Sequence, residues 1–226
     1  MHIHLPKPLH GWRELVGEVG VIVIGVLIAL GAEQIIEQIH WHDQVRAARE
    51  SIHREMTFDL AEFADRIRVA PCVNRHIAEA ERRLAAVSAT GSTPPGATNL
   101  EYPGRLILSG DYEAEQAAQN LVHFPGSELA TLGAWYDQAR HLELWDHDEQ
   151  AAWSGLSLLA GGGSKLGPLD ASLLRRDLQT AKQLEWLTVL NAKRQIARGR
   201  ELGVSPGPSR PDYVQSMCGE ANSLNS

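Results

Sequence analysis

Residues 15–36 read LVGEVGVIVIGVLIALGAEQII, and the reading of this stretch decides the fold. Residues 19–32 are fourteen in a row without a charge. As a helix they cover about 21 Å, short of a hydrocarbon core of about 30 Å. Counted from Leu15 to Ile36 the segment has 22 residues, or about 33 Å, which is enough. The wider count takes in Glu18 near one end and Glu33 near the other. Both fall close to the interfaces, where a carboxylate costs far less than at mid-bilayer. Trp12, just outside, suits the aromatic belt of a membrane boundary.

Three readings of the segment compete: a retained membrane-spanning anchor, a cleaved signal peptide, and a buried helix of a soluble protein. Lys7 and Arg13 would be the basic region of a signal peptide, and Ala29-Leu30-Gly31 its small-residue cleavage signal. The residues that follow favour the anchor. No proline breaks the chain after Gly31, and an apolar stripe continues at Ile35, Ile39, Val45, Ala48, Ile52, Met56, Leu60, Phe63 and Ile67. Steps of mostly three and four mark one face of a helix, so one helix is expected from near Gly11 to about Arg68. Lys7 and Arg13 precede the span, whereas Glu33 and Glu37 follow it. The positive-inside rule then expects a cytoplasmic N-terminus and, in a bacterium, a periplasmic remainder attached to the inner membrane.

The run GWRELVGEVGVIVIGVLIALGAEQIIE resembles the opening of a family of uncharacterised bacterial single-pass membrane proteins. Members begin with Trp-Arg-Glu, then a Glu-Val pair, then Gly-Val-Leu-Ile-Ala-Leu and an acid. The matching positions are Trp12, Arg13, Glu14, Glu18, Val19, residues 25–30 and Glu33. The likeness covers about thirty residues, with a further trace at APCVNRHIAE, residues 70–79. The resemblance implies a membrane anchor and a helical extracytoplasmic part, and carries no activity.

Pro71 interrupts the stripe, as a kink or as the first turn of a new helix; Ile77, Ala80, Leu84 and Val87 then resume at helical spacing. Residues 89–104, rich in Gly, Pro, Ser and Thr, read as a loop. Asp111 is expected to cap a short helix ending near Val122. A second helix opens at Pro125-Gly126-Ser127 and runs toward Leu159, ended by a flexible link at residues 161–164. Asp170 is expected to cap a last helix, with Leu174, Leu178, Ala181, Leu184 and Leu187 facing inward. Nothing alternates with a period of two, so the expectation is an all-α protein: a transmembrane helix continuing into a long helix, plus a small helical bundle. Its parts would be a cytoplasmic stretch 1–14, a span 15–36, an extracytoplasmic domain 37–203 and an irregular tail 204–226.

Composition limits function. A net charge of −7 without a basic block argues against nucleic-acid binding. Residues 101–170 hold three basic and eleven acidic groups, and residues 171–203 seven basic and three acidic. Mutual attraction of neighbouring helices accounts for this more simply than a strip for an anionic partner. Two cysteines exclude a disulfide-dense scaffold. In an oxidising compartment Cys72 and Cys218 are expected to be bonded, pinning the tail to the helix after Pro71.

Within the anchor, Glu18 is the unusual position, with Glu14 four residues earlier on the same face. An acid there can hold a partner helix or a proton, or simply sit among headgroups. Gly25 and Ala29 form a small-xxx-small pair that permits close helix approach. The ten histidines contain no metal spacing: His141 and His147 are six apart, and no His-Glu-x-x-His occurs. Neither a nucleophile elbow nor a correctly spaced phosphate loop is present. Trp135, Trp145, Trp153 and Trp186 suit a core better than a pocket. The expected protein is therefore non-enzymatic and cofactor-free. Its partners would be the bilayer and another membrane or periplasmic protein, or a second copy. An envelope enzyme centred on His141 and His147, or a secreted binding protein, is the alternative.

Overall fold

The computed structural model describes residues 11–219, which fall into two compact units divided between Ala48 and Arg49. Five α-helices, α1 (Trp12–Thr90), α2 (Gly110–Ala117), α3 (Gly126–Leu156), α4 (Pro168–Glu201) and α5 (Pro211–Cys218), and two short 3-10 turns, joined by loops, are the regular elements of the described residues, which contain no β-strand.

The first unit is the leading part of α1. Its β-branched and leucine side chains point outward: Val21 is 72% exposed, Leu27 62% and Ile28 67%. Among the described residues this is the one helix long and apolar enough to cross a bilayer. Its most apolar window has a mean hydropathy of 2.5, with no part of it buried. Ile35 and Ile39, the first residues of the apolar stripe read from periodicity, are also exposed.

In the second unit, the rest of α1 packs with α3 and α4. Along α1, Arg49, Arg66 and Arg83 bond in turn to Glu128, Glu149 and the Leu159 carbonyl, so α3 runs parallel to α1. Arg66, Glu81 and Ser88 meet Glu185, Lys182 and Arg175, so α4 runs antiparallel. One end of this bundle buries Val69, Val73, Ile77, Leu84, Trp153, Leu156, Leu174, Leu178 and Met217 in a single apolar cluster. Nearer Arg49, Phe63 meets Trp135 edge-on and Tyr136 stacks on Tyr112 with ring centroids 4.0 Å apart.

Several local expectations are corrected. Pro71 neither ends α1 nor begins a new helix; α1 passes through it to Thr90. Val69, Val73 and Ile77, buried on both sides of the proline, hold the two halves on one core. Their burial offsets the cost of an interior proline, about 3 kcal/mol. Asn74 Nδ2 donates to the Ala70 carbonyl (2.8 Å), one turn back along the helix. The core face follows Arg66, fully buried, and leaves Ile67 half-buried.

Asp111 is not a cap. Ser109 occupies that position, Asp111 lies in the first turn, and the left-handed Gln119 (φ 61°) ends α2 before Val122. Asp170 is likewise not the cap but the third helical residue, its Oδ2 accepting the Gly167 N–H (2.8 Å). Nor is the glycine run a free link. Thr93 N–H donates to the Ser164 carbonyl (2.9 Å) and Leu166 N–H to that of Gly91 (3.0 Å). The Arg83 guanidinium gathers the carbonyls of Leu159, Gly96 and Gly161. A Cβ on Gly162 would stand 2.6 Å from the Gly96 nitrogen, so only glycine permits this approach.

Between Val204 and Gly219 the tail is not wholly irregular. Its residues 211–218 form α5, which places Met217 in the core. Residues 1–10 and 220–226, with Lys7, His2 and His4, lie outside the described part.

Candidate functional site

The site begins on α1, whose face in the second unit buries four acids: Glu55, Asp59, Glu62 and Asp65. Their spacing of four, three and three keeps them on adjoining turns. Each meets the first turn of a later helix or the segment that leads into one. Glu55 accepts the Asp111 N–H (2.7 Å), the Tyr112 N–H (3.3 Å) and the Tyr136 hydroxyl (2.7 Å). It thereby satisfies the open start of α2, which has no side-chain cap of its own. Asp59 Oδ1 accepts the Leu108 N–H (2.9 Å). Glu62 takes the Arg210 guanidinium at 2.8 and 3.1 Å. Asp65 accepts the Ser209 hydroxyl (2.7 Å), the Arg210 N–H (2.6 Å) and Arg68. The loop before α2 is thus strapped to α1 by the first two acids and the chain before α5 by the other two.

Burial pushes the Asp59 carboxyl up to about 8, with Glu55 and Glu62 adding to the rise and the Leu108 amide opposing it. Its Oδ2 is buried without a hydrogen-bond partner, so the neutral acid suits the site better than the carboxylate. Burial also raises the Tyr136 hydroxyl, which donates to Glu55.

A second polar group crosses the middle of the bundle. Arg66 Nη2 donates to Glu149 (2.8 Å) and to Glu185. Arg105, from the loop before α2, donates to Glu149 (3.3 Å) and to the Leu142 carbonyl (3.1 Å), and pairs with Asp146 at 3.4 Å. All but Asp146 are under a tenth exposed. Burial opposes the charge on Arg66, but the two carboxylates outweigh it and raise its pKa. Burial likewise raises Glu185, against the pull of Arg66. Arg66 Nε and Nη1 and Arg105 Nε are buried without partners. Removing one member of such a group typically costs about 3–5 kcal/mol, because another charge is left uncompensated. The group joins α1, α3, α4 and the loop into one register, and its closure to solvent suits positioning rather than turnover.

Periodicity alone did not mark these residues as a group. The signal was present: Arg66, Glu149 and Glu185 each fall on the helical period of their flanking core residues, between Phe63 and Val69, Leu142 and Ala152, Ala181 and Thr188. A charge on a core period has to be paired.

The residues singled out in the sequence are distributed as follows. Glu18, Gly25, Ala29 and Glu33 are exposed on α1, and at 100° per residue they fall within about 80° of one another. A Cβ on Gly25 would meet nothing within 4 Å. Glu14 lies on the same helix, with its side chain outside the described part. Cys72 and Cys218 form a disulfide, with Cα atoms 5.3 Å apart. His141 and His147 are both exposed on α3. Among the described residues no three His, Cys, Asp or Glu side chains are grouped to hold a metal ion. Trp135 and Trp153 are core, Trp186 is 64% exposed and Trp145 lines a groove. The basic groups of α4 do not simply answer the acids of residues 101–170: Lys182 pairs with Glu81 of α1 (2.8 Å).

Compared with protein-family models, curated proteins and solved structures, the chain has no significant match.

Proposed function

We propose that this chain is a membrane-tethered helical protein of the bacterial inner membrane. Its N-terminus is cytoplasmic and its folded unit periplasmic, acting by interaction as a scaffold or accessory protein rather than by catalysis. The resemblance of the anchor to single-pass membrane proteins agrees with this reading. The observation that carries it is the run of outward-facing apolar side chains along residues 15–36. In water such a surface is a large unfavourable exposure; in lipid it is ordinary. The Cys72–Cys218 bond supports an oxidising location for the second unit. The partner-facing candidates are the bilayer and a neighbouring membrane or periplasmic protein, or a second copy approaching through Gly25 and Ala29.

Mass spectrometry of the chain purified from its native membrane tests the anchor against the signal peptide. Retention of residues 1–30 is the expected result, and a mature chain starting after Gly31 would replace the tether by secretion. A double H141A/H147A variant is expected to leave the cellular phenotype unchanged; loss of phenotype with the fold intact would favour the enzyme reading.

A further inference from the structure

The basic residues of α4 leave a surface that the fold does not answer. At 100° per residue, Arg175, Lys182, Trp186, Lys193 and Arg200 fall within about 40° of one another, in a stripe about 38 Å long. Lys182 is partly buried and the other four are exposed, Trp186 at 64%. The acids of α4, Asp170, Asp177, Glu185 and Glu201, all lie about 60° or more to either side. Arg175 donates to the Ser88 hydroxyl (2.8 Å), and among the described residues Lys193 and Arg200 meet no carboxylate. Lys182 does meet one, Glu81 of α1, in a pair open to solvent. Exposed pairs of this kind hold their members weakly.

On α3, Asp137, Leu144 and Asp148 share one exposed face, within about 40°, and Leu144 is 61% exposed. From Lys182 the steps to Trp186 and then Lys193 are four and seven; from Asp148 back to Leu144 and then Asp137 they are also four and seven. Laid antiparallel, the two faces set Lys182 on Asp148, Trp186 on Leu144 and Lys193 on Asp137. Laid parallel, they leave Trp186 and Leu144 three residues out of step. Both faces point to solvent, so they meet only between copies. We propose that α4 of one copy docks antiparallel on α3 of another through these three contacts. Asp137 then exchanges its solvent-open neighbour Arg140 for Lys193, and two exposed apolar side chains cover each other. The stripe is one residue row wide, which suits a partner no broader than a helix. A flat anionic surface such as a bilayer would also face the rest of a chain whose net charge is −7. Because α3 and α4 are antiparallel within each copy, the contact leaves both copies the same way up, as two chains on one membrane must be. It specifies the interaction role proposed above, and rests on that reading for this shared orientation alone.

The test is sedimentation of the full chain in a nonionic detergent over a range of concentrations. Reversible association is expected at low salt, weakening as salt is raised. K182E/K193E and D137K/D148K should each weaken it about tenfold or more while leaving circular dichroism and melting nearly unchanged. Mixing the two variants should restore it, because the reversed charges again face their opposites. A photo-crosslinker in place of Trp186 should join residues 137–148 of another copy, which reads the register without altering any charge. A chain that is monomeric at every concentration overturns the proposal. So does association that both reversals leave unchanged, which would place the contact elsewhere, as at Gly25 and Ala29. A monomeric chain that binds phosphatidylglycerol vesicles, and loses them in K182E/K193E, would assign the stripe to lipid and overturn it as well. Alkaline extraction reads the membrane tether separately, so a failed tether and a failed contact are told apart.

Discussion

Asp59 shows how much one residue's surroundings can set. It sits on an acidic face of α1 with Glu55 one turn before it, Glu62 one turn after it and the Tyr136 hydroxyl of α3 nearby, and its carboxyl is raised to about 8. An unfolded aspartate titrates near 3.9. Between about pH 4 and about pH 8 the folded chain therefore holds a proton that the unfolded chain has released. The contribution is complete below about pH 4 and is lost as pH rises to about 8, with a slope of up to about 1.4 kcal/mol per unit. His53 and His76, which burial lowers, act in the opposite sense, costing stability as pH falls below about 6.5. The diagnostic quantity is thus the difference between wild type and D59N. Urea melts at a series of pH values should show D59N gaining on wild type by several kcal/mol from pH 5 to pH 8. A constant difference would mean that Asp59 is ionised throughout.

At the scale of elements, the strongest lessons concern what periodicity can register. The stripe on α1, the two later helices and the break at residues 161–164 were legible because each apolar pattern runs for several turns. Arg66 was hidden because a charge on the core period reads as a gap, and the neighbouring Ile67 fills the gap by hydropathy alone. Helix α5 was hidden for another reason: eight residues span barely two turns, too few for a pattern. Its place is set by remote partners, Met217 in the core and Cys218 bonded to Cys72. Across a separation of 146 residues the bond is worth about 5 kcal/mol in the chain-entropy model. Reduction, or a C72S/C218S pair, is expected to lower the denaturation midpoint accordingly. It should also speed amide exchange in residues 211–218 while the middle of α4 stays protected. Unchanged exchange in α5 would show that Met217 and the Glu62–Arg210 pair hold it without the bond.

For the whole molecule, the all-α class and the apolar span could be read from composition and period, because both are sums over many residues. The groove beside Trp145 could not. Whether a tryptophan is core or pocket depends on its neighbours: Trp135 and Trp153 are fully buried, whereas Trp145, on the same helix, lines an opening. The straps held by Glu55, Asp59, Glu62 and Asp65 were equally out of reach, because their partners lie roughly 50 to 150 residues away in sequence.

The account rests on a greasy helix that stays in lipid while the bundle stands on the far side. Its most direct test is alkaline extraction of membranes carrying the full chain with a reporter at its C-terminus that is active only outside the cytosol. The account predicts that the chain remains in the membrane pellet after extraction, is released only by detergent, and carries an active reporter. A chain that is released by alkali alone, or whose reporter is silent while a cytosolic one is active, would contradict it.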